Sequence, residues 1–391
     1  MPARCSMADV ERRLRVAVVH PNARLGGGGA ERFTVEIARH LEAHYAVELV
    51  TGEPWAIPRA RSGALLRHPA VSFLWRWATA APELWLEHLS ALAPCLAALA
   101  ERPPALLLPN NDVGGLLLGS ALRALRGTPF MHVEHSGLLW NGRVLVRALR
   151  FKPDRLVVLT EEVAERVRAF APDQPLSVIA NGVDLARFTP TGERHPIGLA
   201  RPLVLCVAAL LPEGHKRVEL AIRAVARLPR ASLLVVGDGP DRERIAQLGT
   251  EWLGPERFAV CAFPPAAMGA VYRAADAFTL PSVDEPFGLA YLEAMACGLP
   301  VVATADRSRE QIVGEGGVLC DVTDPDAYAG ALATVLADDW SERARRQAER
   351  FGWVAVARAY RDAIEATLAT RPPRRDHTTD EQRREPWPTI R

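Results

Sequence analysis

The residues best suited to chemistry lie in one run, Pro281–Thr304, which reads PSVDEPFGLAYLEAMACGLPVVAT. Glu285 and Glu293 bracket Phe287, Gly288 and Leu289 within it. The apolar run ending at Leu280 predicts a strand, and Gly288–Cys297 predicts a helix. A helix N-terminus presents unpaired amides at the positive end of its dipole, and these attract phosphate. Gly288 lets a ligand approach the backbone closely. Glu285, in the loop, can then reach a sugar at the helix mouth. Glu293 lies about a turn and a half into the helix, where it can hold hydroxyls such as those of ribose. Alone, the two would read as a capping acid and a surface helix charge; the loop-to-helix setting favours the ligand reading.

Other residues offer complementary chemistry. Lys216 opens a predicted helix, Arg217–Leu228, where an ammonium can balance phosphate charge; the competing reading is a solvated helix-start charge. His215 and Arg217 flank it and point elsewhere on a helix. His135 ends the predicted strand Phe130–His135. It can hydrogen-bond a sugar hydroxyl, shape an acceptor pocket, or be purely structural. His132 and Glu134 alternate along the same strand, so spacing alone does not make a metal site. Gly28 and Gly29 end a glycine run before a predicted helix from Ala30, which permits close backbone approach; such runs are also common flexible loops. Asp324-Pro325-Asp326 sits where an aspartate would cap a helix. Gly237-Asp238-Gly239 is not a complete G-x-G-x-x-G, because Arg242 takes the last position, which disfavours a dinucleotide site.

These residues need a scaffold that alternates strands and helices. Short all-apolar runs end before nearly every residue above: Arg15–His20, Val47–Thr51, Ala105–Pro109, Phe130–His135, Leu156–Thr160 and Ser177–Ala180, then Leu203–Ala208, Ser232–Gly237, Phe258–Ala262, Ala277–Leu280, Val301–Ala303 and Gly317–Cys320. Such runs suit parallel strands buried on both faces. Amphipathic stretches lie between them, among them Ala30–Ala43, Glu161–Ala171, Asp241–Leu248 and Met268–Ala275. The βαβα rhythm occurs twice, which predicts an α/β protein of two doubly wound, Rossmann-like domains. The change-over falls near Asp184–Pro202, rich in Pro and Gly. The expected boundaries divide the chain into 1–186, 187–350, 351–370 and 371–391, the last a polar, disordered tail.

Composition narrows the function classes. Lys and Arg total 47 against 46 Asp and Glu, so no global field argues for nucleic acid. Six scattered cysteines without a C-x-x-C pair suit free thiols in a reducing compartment. Neither a signal peptide nor an apolar run of the roughly 20 residues that span a bilayer is evident. A cytoplasmic protein is expected, with peripheral contact at the inner membrane face left open. Arg143, Arg147, Arg150 and Lys152 form a basic strip that suits anionic lipid or simply a solvated face. Trp75, Trp77 and Trp85 fall in the helical stretch Leu65–Leu99, which suits contact with an acceptor or a membrane or, as the favoured reading, an insertion packed on its own domain.

The Glu285–Pro300 run, Gly28-Gly29-Ala30-Glu31-Arg32, and Asn181-Gly182-Val183-Asp184 followed by Phe188 and Pro190 occur in the order of a known family. Together they resemble the family-4 retaining glycosyltransferases of GT-B fold, which implies two domains facing across a cleft, 1–186 on the acceptor side and 187–350 binding the nucleotide-sugar donor, with the 351–370 helix packing back on the first. The resemblance implies that Glu285 contacts the donor sugar, Glu293 the ribose, and the Gly288 and Leu289 amides the diphosphate. It sets Gly28 and Gly29 across the cleft from that diphosphate, His135 near the sugar, and Asn181–Asp184 at the interdomain junction without a catalytic role. Lys216 fits the lysine of the family's basic clamp, but Ala209 stands where its arginine is usual; Arg217 or His215 would have to compensate. The implied activity is metal-independent, retaining transfer of a hexosyl group from a UDP- or GDP-sugar to an acceptor hydroxyl, with no further cofactor. The acceptor, a lipid-linked sugar, glycan or small natural product, is not legible, nor is the oligomeric state. Two alternatives stand beside it: a nucleotide-sugar epimerase or phosphorylase of the same fold, and a binding protein that has lost turnover.

Overall fold

A computed structural model of the chain describes residues 13–20, 29–51, 61–62, 92–93, 95–111, 113–138, 142–212 and 214–370. Gly28, Cys5, the three tryptophans at 75, 77 and 85, and the 371–391 tail lie outside the described residues.

In the N-terminal half, β1 (Arg15–His20), β2 (Ala46–Thr51), β3 (Arg61–Ser62) and β4 (Leu106–Pro109) form a parallel sheet of order β3-β2-β1-β4. Parallel strands β5 (Met131–Val133), β6 (Arg155–Val158) and β7 (Leu176–Val178) continue it through bridges Leu107–Phe130 and Asn110–Val133. The strands are buried on both faces because helices cover each side. Helix α1 (Gly29–Leu41) buries Phe33, Ile37 and Leu41. Three more helices follow: α2 (Val113–Arg126), α3 (Arg143–Arg150) and α4 (Glu161–Phe170). The basic strip lies along α3 and its end, exposed at Arg143, Arg147, Arg150 and Lys152, while Leu145 and Ala148 face the core.

The C-terminal half repeats the plan. Its strands are β8 (Leu203–Val207), β9 (Ser232–Val236), β10 (Phe258–Cys261), β11 (Ala277–Leu280), β12 (Val301–Thr304) and β13 (Gly317–Cys320), all parallel. Their order, β10-β9-β8-β11-β12-β13, reverses direction between β8 and β11. Ligands bind at such a switch point, beyond the carboxyl ends of the strands. The helices are α5 (Val218–Ala226), α6 (Arg242–Leu253), α7 (Met268–Ala274), α8 (Leu289–Ala296), α9 (Arg307–Val313), α10 (Pro325–Ala337), α11 (Ser341–Glu349) and α12 (Trp353–Ala369). Asp324 caps α10 by accepting from the amides of Asp326 and Ala327.

The chain crosses between the halves twice, at 181–188 and near 350–353. The two crossings are tied where the Val183 amide donates to the Phe351 carbonyl, at 2.9 Å. A side chain at Gly182 would meet the Trp353 ring at 2.4 Å, so only glycine fits there. Beyond the crossing, α12 runs along α1, burying Trp353, Tyr360 and Ile364 in one core with Phe33 and Ile37. The five described cysteines are free thiols. No described helix is long and apolar enough to cross a membrane.

Candidate active site

The switch point of the C-terminal sheet opens onto a cavity of about 620 Å³ between the halves. That volume suits a ligand larger than a simple sugar. Its walls bring together Gly29 and His135 from the N-terminal half with Lys216, Glu285, Phe287, Gly288, Leu289 and Glu293 from the C-terminal half.

The loop after β11 is held from several sides. The Tyr291 hydroxyl donates to the Leu280 carbonyl at 3.0 Å and lies 3.0 Å from Ser282 Oγ. Thr304 Oγ1 donates to the Ser282 carbonyl at 2.7 Å. Arg309, buried on α9, donates to the main-chain carbonyl of Glu285 at 2.7 Å and is itself fixed by Asp306. These contacts aim Glu285 into the cavity before any ligand arrives. Gly288 then turns the chain into α8 at φ 85°, and a Cβ there would lie 2.4 Å from the Tyr291 ring. No side chain caps α8, which leaves its first amides for a ligand. Phe287 is buried, its ring edge-on to Phe351 with centroids 6.1 Å apart.

Glu285 is almost fully buried and bonded to Lys216 Nζ, with His215 Nε2 3.8 Å away. Burial pushes its carboxyl up, but Lys216, His215 and Ser282 outweigh that and hold it below its ordinary value. His215 is pushed down by burial and by Lys216, which keeps it neutral near pH 7. Glu293 is also buried. Burial raises its pKa, although Arg32 at 3.1 Å and the Tyr272 hydroxyl at 2.8 Å both favour its charged form.

The opposite wall is less occupied. The His135 amide donates to Asn111 Oδ1 at 3.0 Å, and the ring lies edge-on to Phe33 with centroids 4.6 Å apart. Its Nε2 is buried and has no partner among the described residues. Burial lowers its pKa to about 3, helped by His20 and His132, so the ring is neutral. Asn181, expected at the interdomain junction without a catalytic role, also lines the cavity, its Oδ1 buried and without a partner among the described residues.

Arg217 is not brought into the cavity. It caps α5 in the left-handed conformation, φ 48°, which turns its guanidinium to the Pro281 carbonyl at 2.8 Å and to Thr304. Ala209 does line the cavity, following Val207 and Ala208, so the end of β8 supplies no cation. Arg309, Tyr272 and Arg32 were missed from sequence because each reaches the site from an element distant along the chain. Among the described residues, no group of three His, Cys, Asp or Glu side chains could hold a metal ion.

The family described as Glycosyltransferase Family 4 matches residues 27–187, and that described as Glycosyl transferases group 1 matches residues 191–351. The chain is 35% identical over 245 residues to a D-inositol 3-phosphate glycosyltransferase of Xylanimonas cellulosilytica, covering 56% of this chain and 59% of the relative. It is 30% identical over 346 residues to a GDP-mannose-dependent alpha-(1-6)-phosphatidylinositol monomannoside mannosyltransferase of Mycolicibacterium smegmatis, covering 79% of this chain and 84% of the relative. The chain spans about three fifths of the length of the first curated relatives it matches. In architecture it is similar to the sucrose-phosphate synthase of Thermosynechococcus elongatus, with TM-score 0.74, 21% identity, and coverage of 91% of this chain and 100% of that one. It is also similar to Anabaena HepE in complex with UDP and glucose, with TM-score 0.70, 18% identity, and coverage of 90% and 100%.

Proposed function

The chain belongs to the family-4, group 1 glycosyltransferases of GT-B fold; from that premise we propose that it transfers a sugar from a nucleotide diphospho-sugar to an acceptor hydroxyl, with retention at the anomeric carbon. The observation that carries this reading is the buried Lys216–Glu285 pair beside the uncapped N-terminus of α8. The pair places a fixed ammonium and a fixed carboxylate where a diphosphate and its sugar would meet.

In this reading Glu293 holds the ribose, and the Gly288 and Leu289 amides, with the main chain of Phe287, hold the diphosphate. Gly29 faces them from α1. Lys216 and the helix amides stabilise charge as the anomeric bond breaks toward the leaving phosphate, so a metal is not required for that step. The acceptor hydroxyl attacks from the face the diphosphate leaves, and its proton passes to the departing phosphate. The neutral His135 ring orients a sugar hydroxyl through Nε2. The setting is cytoplasmic, with the exposed Arg143, Arg147, Arg150 and Lys152 available to the inner membrane face.

Purified protein given UDP- or GDP-sugars and a broad acceptor panel should form a glycoside whose anomeric proton coupling matches the donor's. Inverted product, an epimerised donor, or phosphate-dependent donor cleavage would each reject this reaction. Binding without turnover across the panel would make the chain a binding protein.

A further inference from the structure

We propose that Arg32 supplies the donor site's second cation, reaching from the N-terminal half to a nucleoside diphosphate held by the C-terminal half. The proposal rests on the donor-binding reading of the cleft.

A diphosphate ester carries more than one negative charge and needs more than one positive partner. Among the described residues lining the cavity, the fixed cations are Lys216 and Arg32. His215 is neutral, Arg217 is turned away, and the end of β8 is Val207-Ala208-Ala209. Lys216 already serves Glu285.

Arg32 is positioned for the second role. It sits in the first turn of α1, whose N-terminal residue Gly29 packs on Leu289, the first residue of α8; a Cβ on Gly29 would lie 3.2 Å from the Leu289 side chain. The N-termini of the two helices therefore meet across the cleft, and both favour an anion between them. Arg32 Nη1 is 3.1 Å from Glu293 Oε1, while Tyr272 occupies Glu293 Oε2. The Arg32 side chain remains 46% exposed, so one edge of the guanidinium binds Glu293 and the rest stays open to a ligand. Five N–H donors in a planar fork can serve a carboxylate and a phosphate together, which an ammonium cannot do with the same geometry. Arg32 also lines a second cavity of about 270 Å³ with Glu293 and Trp353, so it forms part of the partition behind the donor pocket. The same contact joins the halves: a diphosphate held by both walls would draw them together.

The test is calorimetric titration of UDP and GDP, and competition by uridine and guanosine, with the wild type, Arg32→Ala and Arg32→Lys. Because Arg32 is half-exposed, the variants should melt with the wild type. For whichever diphosphate the wild type binds, Arg32→Ala should weaken affinity at least tenfold and leave the nucleoside within about twofold, with Arg32→Lys between. Unchanged diphosphate affinity would reduce Arg32 to a domain-closing contact. Tighter binding would make it a lock that competes for Glu293. Equal loss for diphosphate and nucleoside would show that it acts through Glu293 alone. Each of these overturns the proposal while leaving the donor reading intact. A wild type that binds neither UDP nor GDP removes both, and only that outcome does so.

Discussion

The two walls of the cleft are built differently. On the C-terminal wall the polar groups facing the cavity are partnered: Glu285 by Lys216, its own carbonyl by Arg309, and Glu293 by Tyr272 and Arg32. On the N-terminal wall His135 Nε2 and Asn181 Oδ1 are buried and have no partner among the described residues. Burying a polar atom without a hydrogen bond costs on the order of 1–3 kcal/mol, so the second wall is left to be completed by what binds. A prearranged wall suits a ligand whose charge must be met without reorganisation; an incomplete one suits hydroxyls that bring their own donors and acceptors. In the proposed reading, the difference separates donor grip from acceptor and sugar selection.

The largest effect expected from breaking this contrast is on the prearranged wall. Lys216→Ala strands Glu285 and, in the proposed reading, removes the leaving-group cation. Release of nucleoside diphosphate should fall about 10²–10³-fold in kcat, as when one preorganised stabilising donor is lost. Glu285→Ala should fall comparably, and activity surviving both substitutions would remove the chemistry from this wall.

Arg309→Lys comes next. Lysine keeps the charge beside Asp306 but cannot reproduce the fork that also holds the Glu285 carbonyl. kcat should drop about tenfold while donor affinity stays near that of the wild type. A matching fall in affinity would mean that Arg309 supports the whole pocket rather than aiming one carboxylate.

On the incomplete wall the effects should be smaller and of a different kind. Asn181→Ala should raise the acceptor KM several-fold and change donor affinity little, because Asn181 has no partner to lose. A donor-affinity loss larger than the acceptor effect would dissolve the contrast between the walls.

The smallest effect concerns pH. His135 titrates near 6.5 when unfolded and at about 3 in the fold. The unfolded chain binds the proton first, so stability is fully present above about pH 6.5 and is lost as pH falls toward 3. Urea midpoints measured between pH 7 and pH 4 should fall more steeply for the wild type than for His135→Gln. Parallel profiles would show that the ring does not stay neutral in the fold.

The sequence revealed most where the information was contiguous. The strands were legible because each is a short, wholly apolar run, and the Glu285–Glu293 loop and helix because one segment carries them. Polar helices were harder: α11, SERARRQAE, buries little besides Ala344, Gln347 and Ala348, and gives no apolar stripe to read. Arg217 looked like a neighbour for Lys216, but the left-handed turn that starts α5 sends the two side chains apart. Asn181 reads as a junction residue without a catalytic role, and only the folded crossing shows its side-chain oxygen buried at the cavity. Arg309 and Tyr272 carry no local signal, and Arg32, although it ends the Gly28–Arg32 motif, shows nothing of its role, since their partners lie 24, 21 and 261 positions away.

The central claim is that the C-terminal wall grips a nucleotide sugar through α8 and its two glutamates. Calorimetric titration of UDP- and GDP-sugars into the wild type and Glu293→Ala tests it most directly. The account predicts saturable one-to-one binding of at least one donor by the wild type and at least a tenfold weaker affinity in Glu293→Ala, because the ribose hydroxyls lose a buried, charge-assisted partner. A wild type that binds no nucleotide sugar, or a variant that binds it equally well, would contradict it.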